Sequence, residues 1–390
     1  MTRHAPYAAA RFAVALASAG LLSSPLHAAT IDLGGDASFS IGAGMRISMQ
    51  SVENAAPSGT DDSADFVVES TRVYLSGRIM KTLGATLNFE RDGGGNTPDG
   101  LRVMDAYVQY EPMPEFNLWA GRLLPASDRA NLDGPYYLGV WDYPMVSQYP
   151  NLAVGRDNGV QAWGKLMGDK LTYVLGAFVG HNNVVGGSNE SDELLYSWRL
   201  AYAFWSPEPA PAYYTGSTYY GAADIFTVAI AGMHQQDAVG VAGASGDYTG
   251  MNIDVLLEKK LAGGGVATFD GAYYDYDLDG VQDCNGDPGL APLACPAGTN
   301  VGGLVEGKAW QGTLMYLFPA KLGIGQLQPF ARYQNFDRDL SNSSVDVVDV
   351  GLNYIIKGPN AKVSAFWSST DDDLAPEAID KFVIGVQFQI

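Results

Sequence analysis

Apolar residues alternate with polar or small residues along segments of about ten residues. In the segment VVESTRVYLSGRIM, 67–80, Val73 and Ile79 fall on one face, and Arg72 and Arg78 fall on the other. Because successive side chains of a strand point to opposite faces, this pattern predicts a two-faced β-strand. The pattern recurs to the C-terminus and predicts sixteen strands, at 35–50, 66–80, 84–92, 101–111, 116–124, 158–168, 171–181, 194–206, 223–236, 247–260, 265–278, 308–318, 324–337, 345–356, 361–370 and 380–390.

Along the chain, the connections between these strands mostly alternate between long and short. The short ones are 81–84, 111–115, 167–170, 261–265, 319–323 and 357–360. The long ones are 51–65, 125–157, 182–193, 237–246, 279–307 and 371–379. One connection in a short position, 206–224, is long. This order predicts an all-β, transmembrane, antiparallel up-and-down barrel of about 16 strands, with short periplasmic turns and long outer loops.

A secreted β-sandwich or a soluble solenoid also has regularly spaced strands. The outward positions favour the barrel. In 223–236 and 345–356 alternate residues are Ile, Phe, Val, Leu or Tyr, with nothing evident in the sequence to cover them. A closed barrel in lipid covers such residues and leaves no sheet edge unpaired.

The N-terminus has the layout of a secretory signal peptide, with a basic start, the apolar run Phe12–Leu22 and small residues after it. We expect a signal peptide at 1–28, cleaved near Ala28 or Ala29, and an outer-membrane barrel at 30–390. The alternative is a membrane anchor, but the apolar run is shorter than the ~20 residues that span a bilayer.

Charge and composition narrow the class of partner. Removing Arg3 and Arg11, and no acidic residue, changes the formal net charge from −20 to −22. This net charge argues against nucleic acid as a partner, since phosphate binding needs clustered Lys and Arg. The 47 glycines, 22 tyrosines and only 17% charged residues are unusual for a soluble protein and suit outer-membrane lipid as the surroundings.

Several segments resemble a known family. They are STRVYLSGRI, ATLNFERD, VMDAYVQYEP and LWAGRLLP in the first half, then YYTGSTYYGAADIFTVAIAGMHQQ, QPFARYQNFDRD and the C-terminal strand. Together they resemble the phosphate-selective porin O and P family of Gram-negative bacteria, and the porin part of fused cytochrome–porin proteins. The resemblance implies a sixteen-stranded outer-membrane channel for small solutes or ions, often a homotrimer.

The connection 125–157 is the longest and is third among the long ones, which is the usual place of a constriction loop in such barrels. The alternative is an outer loop that lies over the mouth. The candidate constriction residues are Asp128, Arg129, Asp133, Tyr137, Trp141, Asp142 and Arg156.

Alternation also predicts which charges face the lumen, since a charge facing lipid costs about 2–4 kcal/mol at mid-membrane. The candidates are Arg72, Arg78, Glu90, Asp105, Arg122, Arg199 and Arg332. The family's phosphate channels use a dense ladder of basic residues. Few basic residues lie on the predicted lumen faces here, so weak selectivity is expected instead of phosphate selectivity.

Two other classes of function are the alternatives to a porin. An outer-membrane enzyme would need a catalytic constellation, but two of the four histidines, His4 and His27, lie in the signal peptide, and no nucleophile motif such as G-x-S-x-G is present. A barrel that encloses an electron carrier would need a separate cytochrome partner, because the chain has no C-x-x-C-H motif. No cofactor is required by either prediction.

The stretch DYDLDGVQDC places Asp275, Asp277, Asp279 and Asp283 at the spacing of a calcium loop. The twelfth position is Gly286, where an EF-hand has its Glu, so a solvated acidic loop is the alternative. Cys284 and Cys295 lie in the same outer loop, 279–307, and we expect them to form a disulfide because the chain is exported.

Overall fold

The structure, a computed structural model, describes residues 29–92, 100–148, 155–180, 193–241, 244–293 and 303–390. It is a closed antiparallel barrel of sixteen strands. The barrel strands are β2 (Ala37–Val52), β3 (Asp65–Met80), β4 (Leu83–Asp92), β5 (Gly100–Met113), β6 (Phe116–Leu123), β7 (Asp157–Leu166), β8 (Leu171–Phe178), β9 (Leu195–Ala203), β10 (Ile225–Val241), β11 (Ala244–Lys260), β12 (Val266–Asp277), β13 (Gly307–Leu317), β15 (Gly325–Arg338), β16 (Ser343–Lys357), β17 (Ala361–Asp372) and β18 (Ile379–Gln389). Two further strands are short. β1 (Ala29–Gly34) pairs with β2, and β14 (Lys321–Leu322) pairs with β15. The predicted fold class is confirmed.

The barrel closes where its last strand meets its first. β18 pairs with β2 from Gln389 opposite Gly44 to Lys381 opposite Val52. The short strand β1 pairs with the first residues of β2, which β18 does not reach. Among the residues that the structure describes, every barrel strand therefore has a neighbour on both sides, and no long edge is left open.

The side chains of β2 show how the sequence produces two surfaces. Met45 and Met49 are exposed on the outer face, while Arg46 and Ser48 are buried on the inner face. The same alternation runs along β18 and most other strands. The outer surface is therefore an apolar band, and the inner surface carries polar and small residues.

One predicted loop is instead strand. The segment 237–246 was expected to be a long outer loop, but β10 runs to Val241 and β11 begins at Ala244. Val239 pairs with Gly246 across this hairpin, after an irregularity in the register. The two strands therefore extend beyond the predicted ends. No helix in the described ranges is long and apolar enough to cross a membrane.

Candidate functional site

The connection between β6 and β7, residues 124–156, folds back into the barrel and is hereafter the inward loop; its residues 149–154 lie outside the described ones. It carries the helix α1 (Arg129–Tyr137), which is kinked at Gly134, where φ is 59°. Nearly every side chain in the first half of the loop is buried. The long connection predicted at 125–157 thus lies within the lumen and not over its mouth.

Side chains of the barrel wall hold the inward loop by its backbone carbonyl groups. The donors and acceptors are Gln387 Nε2 to Tyr136 O (2.8 Å), Lys362 Nζ to Leu138 O (2.7 Å), Asn353 Nδ2 to Gly139 O (2.8 Å), Arg46 Nη2 to Trp141 O (2.5 Å), Arg332 Nη1 to Asp142 O (2.9 Å) and Arg199 Nη1 to Ser127 O (2.9 Å). Most of these donors lie on β15 to β18 and on β2. Because a buried carbonyl needs a hydrogen-bond partner, they fix the path of the loop along that side of the wall.

Glycines on the inner face give the loop room to approach. A Cβ on Gly385 would lie 2.5 Å from the Trp141 ring, and a Cβ on Gly44 would lie 2.7 Å from the Tyr136 ring. The Arg46 guanidinium also covers the indole of Trp141, 4.0 Å from the ring centroid. The loop therefore packs against β2 and β18 by shape as well as by hydrogen bonds.

The connection between β9 and β10, residues 204–224, also folds into the lumen, from the end where the short turns lie. We call it the inner turn. Tyr213, Ser217 and Thr218 are buried within the barrel. Thr218 Oγ1 donates to Glu258 Oε2 on β11 at 2.6 Å, and Gly221 N donates to Glu258 Oε1 at 2.8 Å. One wall carboxylate thus holds the far end of the inner turn.

The inner turn and the inward loop contact each other in the middle of the lumen. Arg129 donates to both carboxylate oxygens of Glu208, at 2.8 Å and 2.7 Å. Ser217 Oγ donates to Asp133 Oδ2 at 2.6 Å, and Tyr213 Oη donates to Leu124 O at 2.9 Å. The two segments therefore form a single structure across the barrel.

Burial and pairing act in opposite directions on the carboxyl groups at this contact. Burial disfavours the Glu208 carboxylate, but the Arg129 guanidinium and the Tyr219 hydroxyl outweigh it and hold the pKa of Glu208 below its usual value. Burial raises the pKa of Asp133 well above its ordinary value despite nearby Arg129. The contact between the two segments thus contains the Arg129–Glu208 ion pair. Beside it lies Asp133, whose carboxyl group keeps its proton to a higher pH than usual.

The predicted lumen charges occur mostly as ion pairs. Six of the seven face inward, and Arg78 among them is half-buried near the short-turn end. The pairs and their shortest distances are Arg72 Nε–Glu90 Oε1 (2.9 Å), Arg156 Nε–Asp105 Oδ1 (3.1 Å), Arg199 Nη1–Asp254 Oδ2 (2.5 Å), Arg332 Nε–Asp349 Oδ2 (2.7 Å) and Arg78 with Glu111. Arg199 and Arg332 serve the inward loop as tethers.

Arg122 is the exception, because it lies on the outer face. Asn117, Trp119 and Leu123 of β6 are buried inward, so Arg122 shares the outer face with Leu118. There its guanidinium donates to Val103 O at 3.2 Å and to Asn158 Oδ1 at 3.2 Å. These two acceptors give the Arg122 guanidinium hydrogen-bond partners on the outer face. The prediction that Arg122 lines the pore is therefore wrong.

The remaining loop candidates fall in different surroundings. Asp128 is buried and accepts from Ser147 Oγ at 2.8 Å and from Tyr274 Oη at 2.9 Å. Asp142 pairs with Lys381 of β18. Tyr137 is half-buried at the end of α1 and faces the open part of the lumen. The structure thus brings Arg129 and Asp133 together, while Asp128 and Asp142 make separate contacts.

The open part of the lumen is a cavity of about 1260 Å³ between the inner wall of β2 to β7, α1 and the inner turn; we call it the wall cavity. Its charged lining includes Arg72, Arg78, Asp105, Glu111 and Arg156. It lies opposite the side of the wall that holds the inward loop. Its aromatic lining includes Tyr137, a predicted constriction residue. The other aromatic lining residues were not predicted from the sequence: Tyr74, Tyr107, Trp119, Tyr136, Trp163, Tyr214, Tyr219 and Tyr220.

The acidic outer loop does not gather its four aspartates. Asp275, Asp277 and Asp279 are exposed, whereas Asp283 is fully buried and accepts from Leu304 N at 2.9 Å. In the part of the chain that the structure describes, no three acidic, His or Cys side chains form a metal-binding group. Calcium binding stays a prediction. Cys284 is buried, and Cys295 lies outside the described residues, so their pairing also stays a prediction.

A closed sixteen-stranded barrel with an apolar outer band and a long loop in its lumen has the architecture of an outer-membrane porin. The outer band needs lipid around it, which places the chain in the outer membrane. No protein-family model matches the chain, and no curated protein matches it. Membership of the phosphate-selective porin O and P family is therefore not confirmed.

Solved structures of outer-membrane proteins share this fold. The outer membrane channel DcaP of Acinetobacter baumannii matches with a TM-score of 0.56 and 13% identity, over 91% of this chain and 97% of that one. OprB of Pseudomonas putida matches with a TM-score of 0.56 and 8% identity, over 91% and 94%. OmpT of Vibrio cholerae matches with a TM-score of 0.55 and 11% identity, over 94% and 100%. At such low identity these likenesses establish the fold alone.

Proposed function

We propose that this chain is an outer-membrane porin, a water-filled channel for passive diffusion of small hydrophilic solutes or ions. The observation that carries this proposal is the wall cavity, a space of about 1260 Å³ lined by polar and aromatic side chains inside a closed barrel. The inward loop and the inner turn fill the opposite part of the lumen. Such an arrangement leaves a restricted aqueous path beside a fixed obstruction.

The charges of the lumen support weak ion selectivity. Arg72, Arg78 and Arg156 each have a carboxylate within ion-pair distance, so these three arginines do not form an unpaired row of positive charge along the wall cavity. Rings of one sign are what give pores a strong ion preference. Anions and cations are therefore expected to pass at similar rates, and phosphate selectivity is not proposed.

Solute uptake into liposomes tests this function. Refolded protein in liposomes should admit small uncharged solutes rapidly, with a rate that falls steeply as solute size increases, because the inward loop narrows the lumen. Protein-free liposomes are the control. Uptake no faster than in the control, from protein shown by circular dichroism to be folded as β-sheet, would contradict the proposal.

The segments in the centre of the lumen argue against the alternative, a sleeve around a separate electron-transfer cytochrome. Such a sleeve needs space for a second protein along the barrel axis, and α1 lies there, clamped to Glu208 of the inner turn.

We also propose that the channel assembles as a homotrimer. One of the similar solved structures is a trimer form of OmpT from Vibrio cholerae, with a TM-score of 0.53 and 12% identity. The mass of the detergent-solubilised protein, measured by light scattering, tests this assembly. The mass of a single chain would contradict it.

A further inference from the structure

The wall cavity combines two kinds of surface that a simple aqueous pore does not need. One is a set of tyrosine rings, and the other is a set of neutral or paired polar groups. Tyr74 of β3, Tyr137 of α1 and Tyr214 and Tyr219 of the inner turn are half-buried and line the open space. Three separate elements thus bring aromatic rings to one cavity.

The Tyr214 ring is held in place by packing behind it. Tyr214 packs against Tyr213 with ring centroids 4.9 Å apart and against Trp119 at 6.1 Å. Trp119 in turn stacks on Tyr107 at 4.8 Å and contacts Trp163 at 5.6 Å. A ring supported in this way loses little conformational freedom when a solute contacts it. The cavity therefore presents preorganised flat surfaces.

The polar groups of the cavity carry little net charge. Arg72 pairs with Glu90, and Asn88 Nδ2 donates to Asp105 Oδ2 at 2.9 Å beside the Arg156 pair. Near the short-turn end, Trp119 Nε1 donates to Glu111 Oε1 at 3.0 Å, next to Arg78. Paired charges still offer hydrogen bonds, but a bound ion would have to displace an existing partner.

These surfaces exclude most classes of solute. The charged lining residues outside the three arginine pairs are Lys357, exposed at the end of β16, and Asp133, which accepts a hydrogen bond from Ser217. An ion bound elsewhere in the cavity would have to displace a partner of one of the arginine pairs. A purely apolar solute would displace the water that meets the remaining hydrogen-bonding capacity of these paired groups, which costs about 1–3 kcal/mol for each buried group left unsatisfied. A ring with apolar C–H faces and hydroxyl groups at its rim satisfies both surfaces, because its faces stack on the tyrosines and its hydroxyls meet the polar groups.

We propose that the wall cavity is a binding site for neutral, hydroxylated ring solutes, that is, mono- or disaccharides, held by stacking on Tyr74, Tyr214 and Tyr219. A solute reaches this site only through the lumen of the channel proposed above, on which the proposal rests. The volume of about 1260 Å³ exceeds that of one sugar ring, so a disaccharide fits with water around it.

Planar-bilayer recordings with maltose and sucrose test this site. In potassium chloride, added sugar should reduce the conductance of the wild-type channel in a saturating manner. Tyr214→Ala should raise the half-blocking concentration about five- to tenfold, because the sugar loses one stacking contact. Tyr214→Phe keeps the ring and should keep the block. Tyr273→Ala removes an exposed tyrosine of the outer face and is the matched control.

A binding measurement in detergent separates this site from the channel proposal. Quenching of Trp119 and Trp163 fluorescence by sugar should occur in the wild type and weaken in Tyr214→Ala. Normal conductance with neither block nor quenching overturns the sugar site and leaves the channel proposal intact. Quenching without any conductance supports the site and contradicts the channel. Block by phosphate or benzoate in place of sugar also overturns the proposed ligand class.

Discussion

Single inward residues decide whether the inward loop reaches the wall. Gly385 of β18 lies under the Trp141 ring, where a Cβ would approach ring atoms to 2.5 Å. Trp141 is fully buried and is fixed by Arg46 above it and by a 2.8 Å hydrogen bond from its Nε1 to Glu69. A side chain at position 385 therefore competes directly with the docked loop.

We expect Gly385→Ala to destabilise the protein by about 1–3 kcal/mol, because the added methyl group overpacks the contact with Trp141. Gly312→Ala is the matched control, since its Cβ would meet its nearest atom at an ordinary 3.6 Å. Denaturant unfolding, followed by tryptophan fluorescence, measures both variants. Equal midpoints for the two variants would contradict the docking of Trp141 on β18.

The Arg129–Glu208 ion pair is one of the contacts that join the inward loop to the inner turn. Glu208→Gln leaves the buried guanidinium without its bidentate partner and should cost about 3 kcal/mol. The expected readout is a lower urea midpoint with an unchanged slope. Asp224→Asn, which alters an exposed pair with Lys259 in the same inner turn, should leave the midpoint unchanged. An unchanged midpoint in Glu208→Gln would show that the Arg129–Glu208 pair does not contribute to stability.

The protonation of Asp133 should appear in the ion preference of the channel. Burial raises its pKa, with Asp270 adding to the effect and Arg129 and Ser217 opposing it. Below that pKa the group is neutral, and above it the group is a carboxylate beside the wall cavity. Cation preference, measured as reversal potential in a salt gradient, should therefore rise toward alkaline pH in the wild type. Asp133→Asn should abolish this rise. If the variant shows a rise as large as that of the wild type, Asp133 does not set the pH dependence of ion preference.

The inward side of β6 could not be predicted from its alternation alone. Placing Arg122 toward the lumen requires Leu118 to face inward as well, because successive side chains alternate. The structure places Trp119 inward, against Tyr107 and Trp163, so Arg122 faces outward. The inward partners of Trp119 come from other strands and from the inner turn, and nothing local in the sequence shows them.

At the scale of elements, the strands were predictable and the interior segments were predictable only in part. Alternation and turn composition predict all sixteen barrel strands, although β10 runs to Val241 instead of 236 and β11 begins at Ala244 instead of 247. The unusual length of 206–224 is visible in the sequence, but its direction is not. It folds inward because Glu208, Ser217 and Thr218 find partners on α1 and β11, which are distant in the chain.

The inner turn should limit conductance. Replacing residues 207–222 by a short turn removes Glu208, Ser217 and the tyrosines that narrow the wall cavity. We expect a severalfold larger conductance in planar bilayers, because the lumen loses one of its two obstructions. Shortening the outer loop at 53–64, which is mostly exposed, is the control and should not change conductance. Unchanged conductance in the inner-turn variant would show that current avoids this segment.

At the scale of the whole molecule, the barrel separates its charges by place. Inside, arginines pair with carboxylates from other strands or loops, such as Arg199 with Asp254 and Arg332 with Asp349. The sequence shows how few basic residues there are but not that they pair, because the partners meet only when the barrel closes. Because an ion pair has no net charge, the formal net charge of −20 comes from residues outside these pairs. It is therefore not expected to determine which ions pass through the lumen.

Single-channel recording in a potassium chloride gradient tests the central proposal most directly. Refolded wild-type protein should produce discrete conductance steps, and its reversal potential near neutral pH should lie close to zero, since the lumen is open but its charges are paired. Silence from folded protein would contradict a channel. A large reversal potential of the sign for anions would show that Arg72, Arg78 and Arg156 act as a selective row despite their carboxylate partners.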